Sequence, residues 1–167
     1  PIPSDEILAN LNLFTNRSEL SRTLFLTNLY QRIINVPGVV MEFGCRWGRN
    51  LALWITCRTI YEPFNISRKI IGFDTFAGFP SIDPNDGTST MVGEGKLSVT
   101  PRYEAYLKDL LSVHERLSPQ NHLTRFELIK GDVTETVSAY FDQYPETIVS
   151  LAYFDVDLYE PTKKCLE

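Results

Sequence analysis

The chain has 167 residues, of which 16 are Lys or Arg and 21 are Asp or Glu, giving a formal charge of −5. That length suits one domain with a real core, and 43% hydrophobic against 22% charged residues excludes a disordered chain. The mild acidity excludes a general attraction for phosphate backbones, so no nucleic-acid partner is expected; the densest basic cluster, around Arg46 and Arg49, is small.

Residues 19–34 carry Leu20, Leu24, Leu26, Leu29, Ile33 and Ile34, mostly at helical spacing, and Asn35-Val36-Pro37-Gly38 stops the helix. Val39 to Phe43 is an apolar run ending at Gly44, which predicts a buried strand. Arg49 to Tyr61 predicts a helix closed by Pro63, and Lys69 to Asp74 a second strand. Residues 77–101 hold four Gly and three Pro, too long a stretch for an ordinary connection. Within it, Asp86 to Thr100, with Gly87, Gly93 and Gly95, reads as a lid or as a disordered loop. Arg102 to Leu117 predicts a helix with Tyr103, Tyr106, Leu107, Leu110, Leu111 and Val113 inward. Phe126 to Lys130 predicts a third strand, and Thr134 to Phe141 a helix capped by Thr134. Ile148 to Asp155 predicts a fourth strand, with a helix starting near Glu160.

Apolar strands alternating with helices predict an α/β fold: a Rossmann-like, doubly wound parallel sheet with helices on both faces. Residues 1–36 read as an N-terminal helical segment and 37–167 as the α/β domain. The start at Pro1 reads as processed or trimmed, and the end at Lys163–Glu167, in mid-helix, predicts that C-terminal strands of a larger domain are missing.

No apolar run approaches the ~20 residues that span a bilayer, so no membrane partner is expected. The first ten residues carry Asp5 and Glu6 and no basic start, which does not read as a signal peptide. Cys45, Cys57 and Cys165 are odd in number and irregular in spacing, so no disulfide framework is expected. A reduced, cytoplasmic setting fits these features. The chain leaves room for a homo-oligomer.

Ligands of such sheets bind beyond the carboxyl ends of the strands. Here those ends carry Glu42 and Gly44, then Asp74, then Asp132, then Asp155 and Asp157. Gly44 and Gly48, four apart between a strand and a helix, let a ligand lie against the backbone; a tight turn without a ligand explains them as well. The spacing is not the Gly-x-Gly-x-x-Gly of a dinucleotide site. A carboxylate at Asp74, with Thr75 beside it, suits the hydroxyls of a ribose, or caps a helix. Asp132 suits an adenine amino group, or caps the helix near Thr134. Asp155 and Asp157, two apart, would share one face of a regular strand; they suit a magnesium ion, or cap the next helix. His114 and His122 lie away from the strand ends, so no zinc site is expected.

Three segments in register carry a resemblance. They are Val39-Val40-Met41-Glu42-Phe43-Gly44, Phe73-Asp74-Thr75-Phe76-Ala77-Gly78-Phe79-Pro80 and Asp155-Val156-Asp157-Leu158-Tyr159-Glu160-Pro161-Thr162. The chain, over roughly residues 35–167, resembles class I S-adenosylmethionine-dependent methyltransferases, and within them the macrocin O-methyltransferase-like family of sugar-hydroxyl methyltransferases. The resemblance implies S-adenosylmethionine as cofactor, a saccharide or small-molecule acceptor, and a magnesium ion near the acceptor. It places Gly44 and Gly48 at the methionine part of the donor and Asp74 at the ribose, with Glu42 and Thr75 as further cofactor-binding residues. It makes Asp155 a metal ligand and proton acceptor beside Asp157. Two further acidic ligands of the family would follow beyond Glu167, so this chain would hold half a metal site. The chain departs from the family at Arg46-Trp47, where an aromatic then Arg is common, and at Arg49-Asn50, where Gly-Ser is frequent. The alternatives are a non-catalytic nucleoside-binding domain and a nucleotide-dependent oxidoreductase, the second lacking its glycine fingerprint.

Overall fold

Four short strands pair in parallel in the order β3-β2-β1-β4: β1 (Val39–Phe43), β2 (Ile70–Asp74), β3 (Phe126–Lys130) and β4 (Val149–Phe154). The computed structural model describes residues 1–90 and 92–167; Met91, inside the expected lid, lies outside the described residues. The helices are α1 (Arg17–Arg32), α2 (Arg49–Tyr61), α3 (Tyr103–Arg116), α4 (Val133–Gln143) and α5 (Tyr159–Leu166). The chain winds outward from β1 to β3 and then returns to the far side of β1 for β4. That reversal opens a crevice between the carboxyl ends of β1 and β4, where doubly wound sheets bind ligands.

Alternation along the strands divides the core in two. Val40 and Ile70 face α1, α2 and α3 and pack with Leu26, Tyr30, Trp54, Ile55, Leu107 and Leu111. Met41, Phe43, Ile71 and Phe73 face the other way, onto Val133, Val137 and Tyr140 of α4 with Cys165 of α5 alongside. Helices therefore cover both faces, as the sequence predicts. Helix α1 shares the first cluster with α2 and the sheet, so the N-terminal segment is packed into the α/β core. Among the described residues no helix is long and apolar enough to cross a membrane.

At the amino ends of the strands three buried arginines tie loops together. Arg58 donates to the carbonyls of Arg68 and Arg125 and to Glu115; Arg68 donates to both oxygens of Glu62 and to the carbonyls of Ile33 and Val36. This network explains one departure. The expected inward face of α3 included Tyr106, Leu110 and Val113, but all three are exposed. The buried stripe is Leu107, Leu111 and Glu115, because Glu115 must turn inward to meet Arg58 and Arg125. Leu20 and Leu24 of α1 are exposed for a similar reason: the inner stripe runs through Leu26, Tyr30 and Ile33, with the Tyr30 hydroxyl donating to Glu62. The cap of α4 is Asp132, whose carboxylate accepts from the Thr134 amide, so Thr134 is not the cap.

Candidate functional site

The crevice holds a cavity of about 280 Å³. Its walls are the ends of β1, β2 and β4, the start of α4, and the neck of the long loop, with Phe73, Phe79, Pro80, Leu97, Val133 and Val156 as apolar surface. Six residues expected at the site line it: Gly44, Asp74, Thr75, Asp132, Asp155 and Asp157. Glu42 and Gly48 do not.

Glu42 points to the α2 face and is fully buried, accepting from Asn50 Nδ2 at 2.9 Å and Trp54 Nε1 at 3.1 Å. Burial pushes its carboxyl up to about 8; the bonds from Asn50 and Trp54 oppose that shift, and the charge of Asp155 adds to it. A residue in the fourth position of a five-residue strand looks like a rim residue in sequence. The alternation of the strand instead sends its side chain under α2. Gly48 caps α2 with φ 71°, and a Cβ there would strike the Leu107 side chain, so helix packing accounts for this glycine. At Gly44, with φ 89°, a Cβ would strike the carbonyl of Asp155; this glycine lets the β4 end come against β1.

Asp74 organises the turn beside it. Its Oδ2 accepts from the Arg46 amide at 2.7 Å and its Oδ1 from the Phe76 amide at 2.6 Å, leaving further lone pairs toward the cavity. Thr75 donates its hydroxyl to the Gly78 carbonyl. Asp132 both caps α4 and lines the cavity.

Asp155 and Asp157 meet at the rim, but not as strand neighbours: β4 ends at Phe154, and Asp157 has φ 58°. Desolvation, then the nearby Asp155 charge, raises the Asp157 carboxyl above its usual range. Neither caps α5. The Tyr159 amide there donates to Asp86 Oδ1 at 2.6 Å, so the expected lid reaches across and docks beside the site.

Asp155 and Asp157 by themselves do not make up a magnesium site. Arg22 of α1 already donates to Asp155 Oδ2 at 3.0 Å, and among the described residues no three His, Cys, Asp or Glu converge. The pairing of two carboxylates was legible; the cation that Arg22 supplies was not, because Arg22 lies 133 residues away with no motif around it.

Comparison with protein-family models and with curated proteins finds no match. Solved structures do match. The chain is 45% identical to CalS11, a calicheamicin methyltransferase, whose crystal structure superposes with a TM-score of 0.96 over 99% of this chain and 65% of that one. An apo structure of CalS11, there a TDP-rhamnose 3′-O-methyltransferase of calicheamicin biosynthesis, gives 42% identity and a TM-score of 0.83, over 99% of this chain and 64% of that one. The chain thus spans somewhat less than two thirds of the structures it matches. Its α/β fold is the one that methyltransferase adopts over nearly the whole of this chain.

Proposed function

We propose that this chain carries the donor-binding part of an S-adenosylmethionine-dependent O-methyltransferase acting on a sugar hydroxyl. The observation that carries the reading is the cavity itself. It lies at the switch point of the sheet, with four carboxylates facing an apolar wall, which suits a flat adenine and a cationic sulfonium together. Likeness to CalS11 supports methyl transfer and a sugar acceptor of the TDP-rhamnose kind.

In this reading Asp74 takes the ribose hydroxyls and Asp132 the adenine edge. Bound S-adenosylmethionine supplies an electrophilic methyl group. Asp155, oriented by Arg22, accepts the proton of the acceptor hydroxyl, and Asp157 stands beside it. Transfer would need oxygen, carbon and sulfur in line, an alignment that supplies much of the rate.

Calorimetric titration with S-adenosylhomocysteine tests the reading, with NAD as comparison. Binding of the first and not the second is expected. NAD binding would point to an oxidoreductase, and binding of neither would remove the nucleoside site.

A further inference from the structure

We propose that the outer face of α3 pairs two copies of this chain, helix against antiparallel helix, across a two-fold axis. The inner stripe of α3, Leu107, Leu111 and Glu115, is buried against the core. A second stripe looks outward. Tyr106, Leu110, Val113 and the C-cap Leu117 are 59%, 37%, 44% and 74% exposed. Steps of four, three and four residues put them in one apolar row, about 16 Å long at the helical rise. Helix α3 lies over β3, the end strand of the sheet, so the row stands at the side of the molecule.

Charge selects the occupant. Asp109 and Arg116, seven apart and so on one side of the helix, flank the row. Both are exposed, and neither forms an ion pair with any described residue. They stand equally far from the midpoint between Ser112 and Val113. A two-fold axis through that midpoint brings Asp109 of each copy to the partner's Arg116, giving two ion pairs from one symmetric contact. The same axis sets Leu110 between the partner's Val113 and the partner's Leu117, so the apolar rows interdigitate. A parallel pairing would set aspartate on aspartate and arginine on arginine, which repel. The exposed leucines of α1, Leu20 and Leu24, lack this pattern, because Glu19 and Arg22 beside them are already held by Arg49 and Asp155.

Sedimentation equilibrium on the 167-residue chain tests the pairing. The wild type is expected to be dimeric at about 100 μM and to dissociate on dilution, as a small interface does. Asp109→Arg and Arg116→Asp, each alone, should weaken the dimer about tenfold. The two together in one chain should restore it, since the opposed charges are only exchanged. Both positions are exposed, so circular dichroism should show the fold unchanged. A wild type that stays monomeric at every concentration overturns the proposal. So does a dimer that ignores the single reversals, or that the double exchange fails to rescue, because it forms through another face. Should a charge variant fail to fold, Val113→Cys decides: it lies next to the axis, and mild oxidation should link two copies through it. No linkage above that of the wild-type chain overturns the pairing.

Discussion

Arg22, in the first helix, donates to Asp155, just past the last strand, at 3.0 Å. The pair joins the N-terminal helix to the rim of the cavity, and Arg22 also contributes to the field at buried Glu42 beneath. Its side chains are 36% and 39% exposed, so its worth to stability is about 0–1 kcal/mol. Its place beside the proposed proton acceptor gives it a different importance.

Arg22→Met is therefore expected to lower kcat for methyl transfer about tenfold while donor affinity holds. Its melting temperature should fall by no more than about 4 °C. Arg22→Lys should restore part of kcat, since the charge returns without the planar fork. Steady-state kinetics beside a thermal melt check this; an unaltered kcat would show that the pair is only a surface contact.

Asp74 serves the turn and the ligand together. Asp74→Ala removes the acceptor for two backbone amides and the proposed ribose bonds. The expected loss in S-adenosylhomocysteine affinity is ~1.5–3 kcal/mol, or roughly 10- to 150-fold. Calorimetry reads it directly, and an undiminished affinity would move the ribose elsewhere.

Glu42 makes stability depend on pH. Its carboxyl is near 4.5 in an ordinary setting and pushed up to about 8 in the fold. Between those values the folded chain keeps a proton that the unfolded chain has released. Stability is fully present below the lower value and declines as pH rises toward the higher one. Glu42→Gln, which cannot ionise, should flatten this decline, with Asn50 turning its amide to suit. Urea melts at pH 5, 6, 7 and 8 compare the slopes; parallel slopes in the two proteins would place the titration in another group.

The two glycines of the β1–α2 turn should respond differently to a methyl group. Gly44→Ala drives a Cβ into the Asp155 carbonyl, part of a paired strand end that cannot swing aside. Gly48→Ala meets the terminal methyls of Leu107, which can rotate. Both pay about 1–2 kcal/mol for a left-handed backbone. Gly44→Ala should be the more destabilised and should also lower kcat, because it displaces Asp155. Chemical denaturation ranks them, and the reverse order would refute the contact argument.

Much of the fold is legible in the chain because each strand is a short apolar run closed by Gly or Asp. Residues 39–43, 49–61 and 126–130 form the expected elements to the residue. Six expected site residues meet at the cavity because a parallel sheet brings its carboxyl ends to one edge whatever the loops do. The misses lie where a side chain's direction depends on a partner far along the chain. Glu42 turns to Asn50 and Trp54, Glu115 turns α3 toward Arg58 and Arg125, and Asp132 stands one residue ahead of a helix that begins earlier than expected.

The sequence by itself determined the parallel α/β layering, the glycine turn and the row of acids at the strand ends, because hydrophobic periodicity and turn chemistry are local. Only the tertiary structure decided that Arg22 meets Asp155, that Asp86 of the long loop accepts from the first amide of α5, and that Arg46 is the one basic residue on an acidic wall among the described residues. Those relationships depend on how helices seat against a twisted sheet, and no spacing along the chain encodes the distance between residues that only packing brings together.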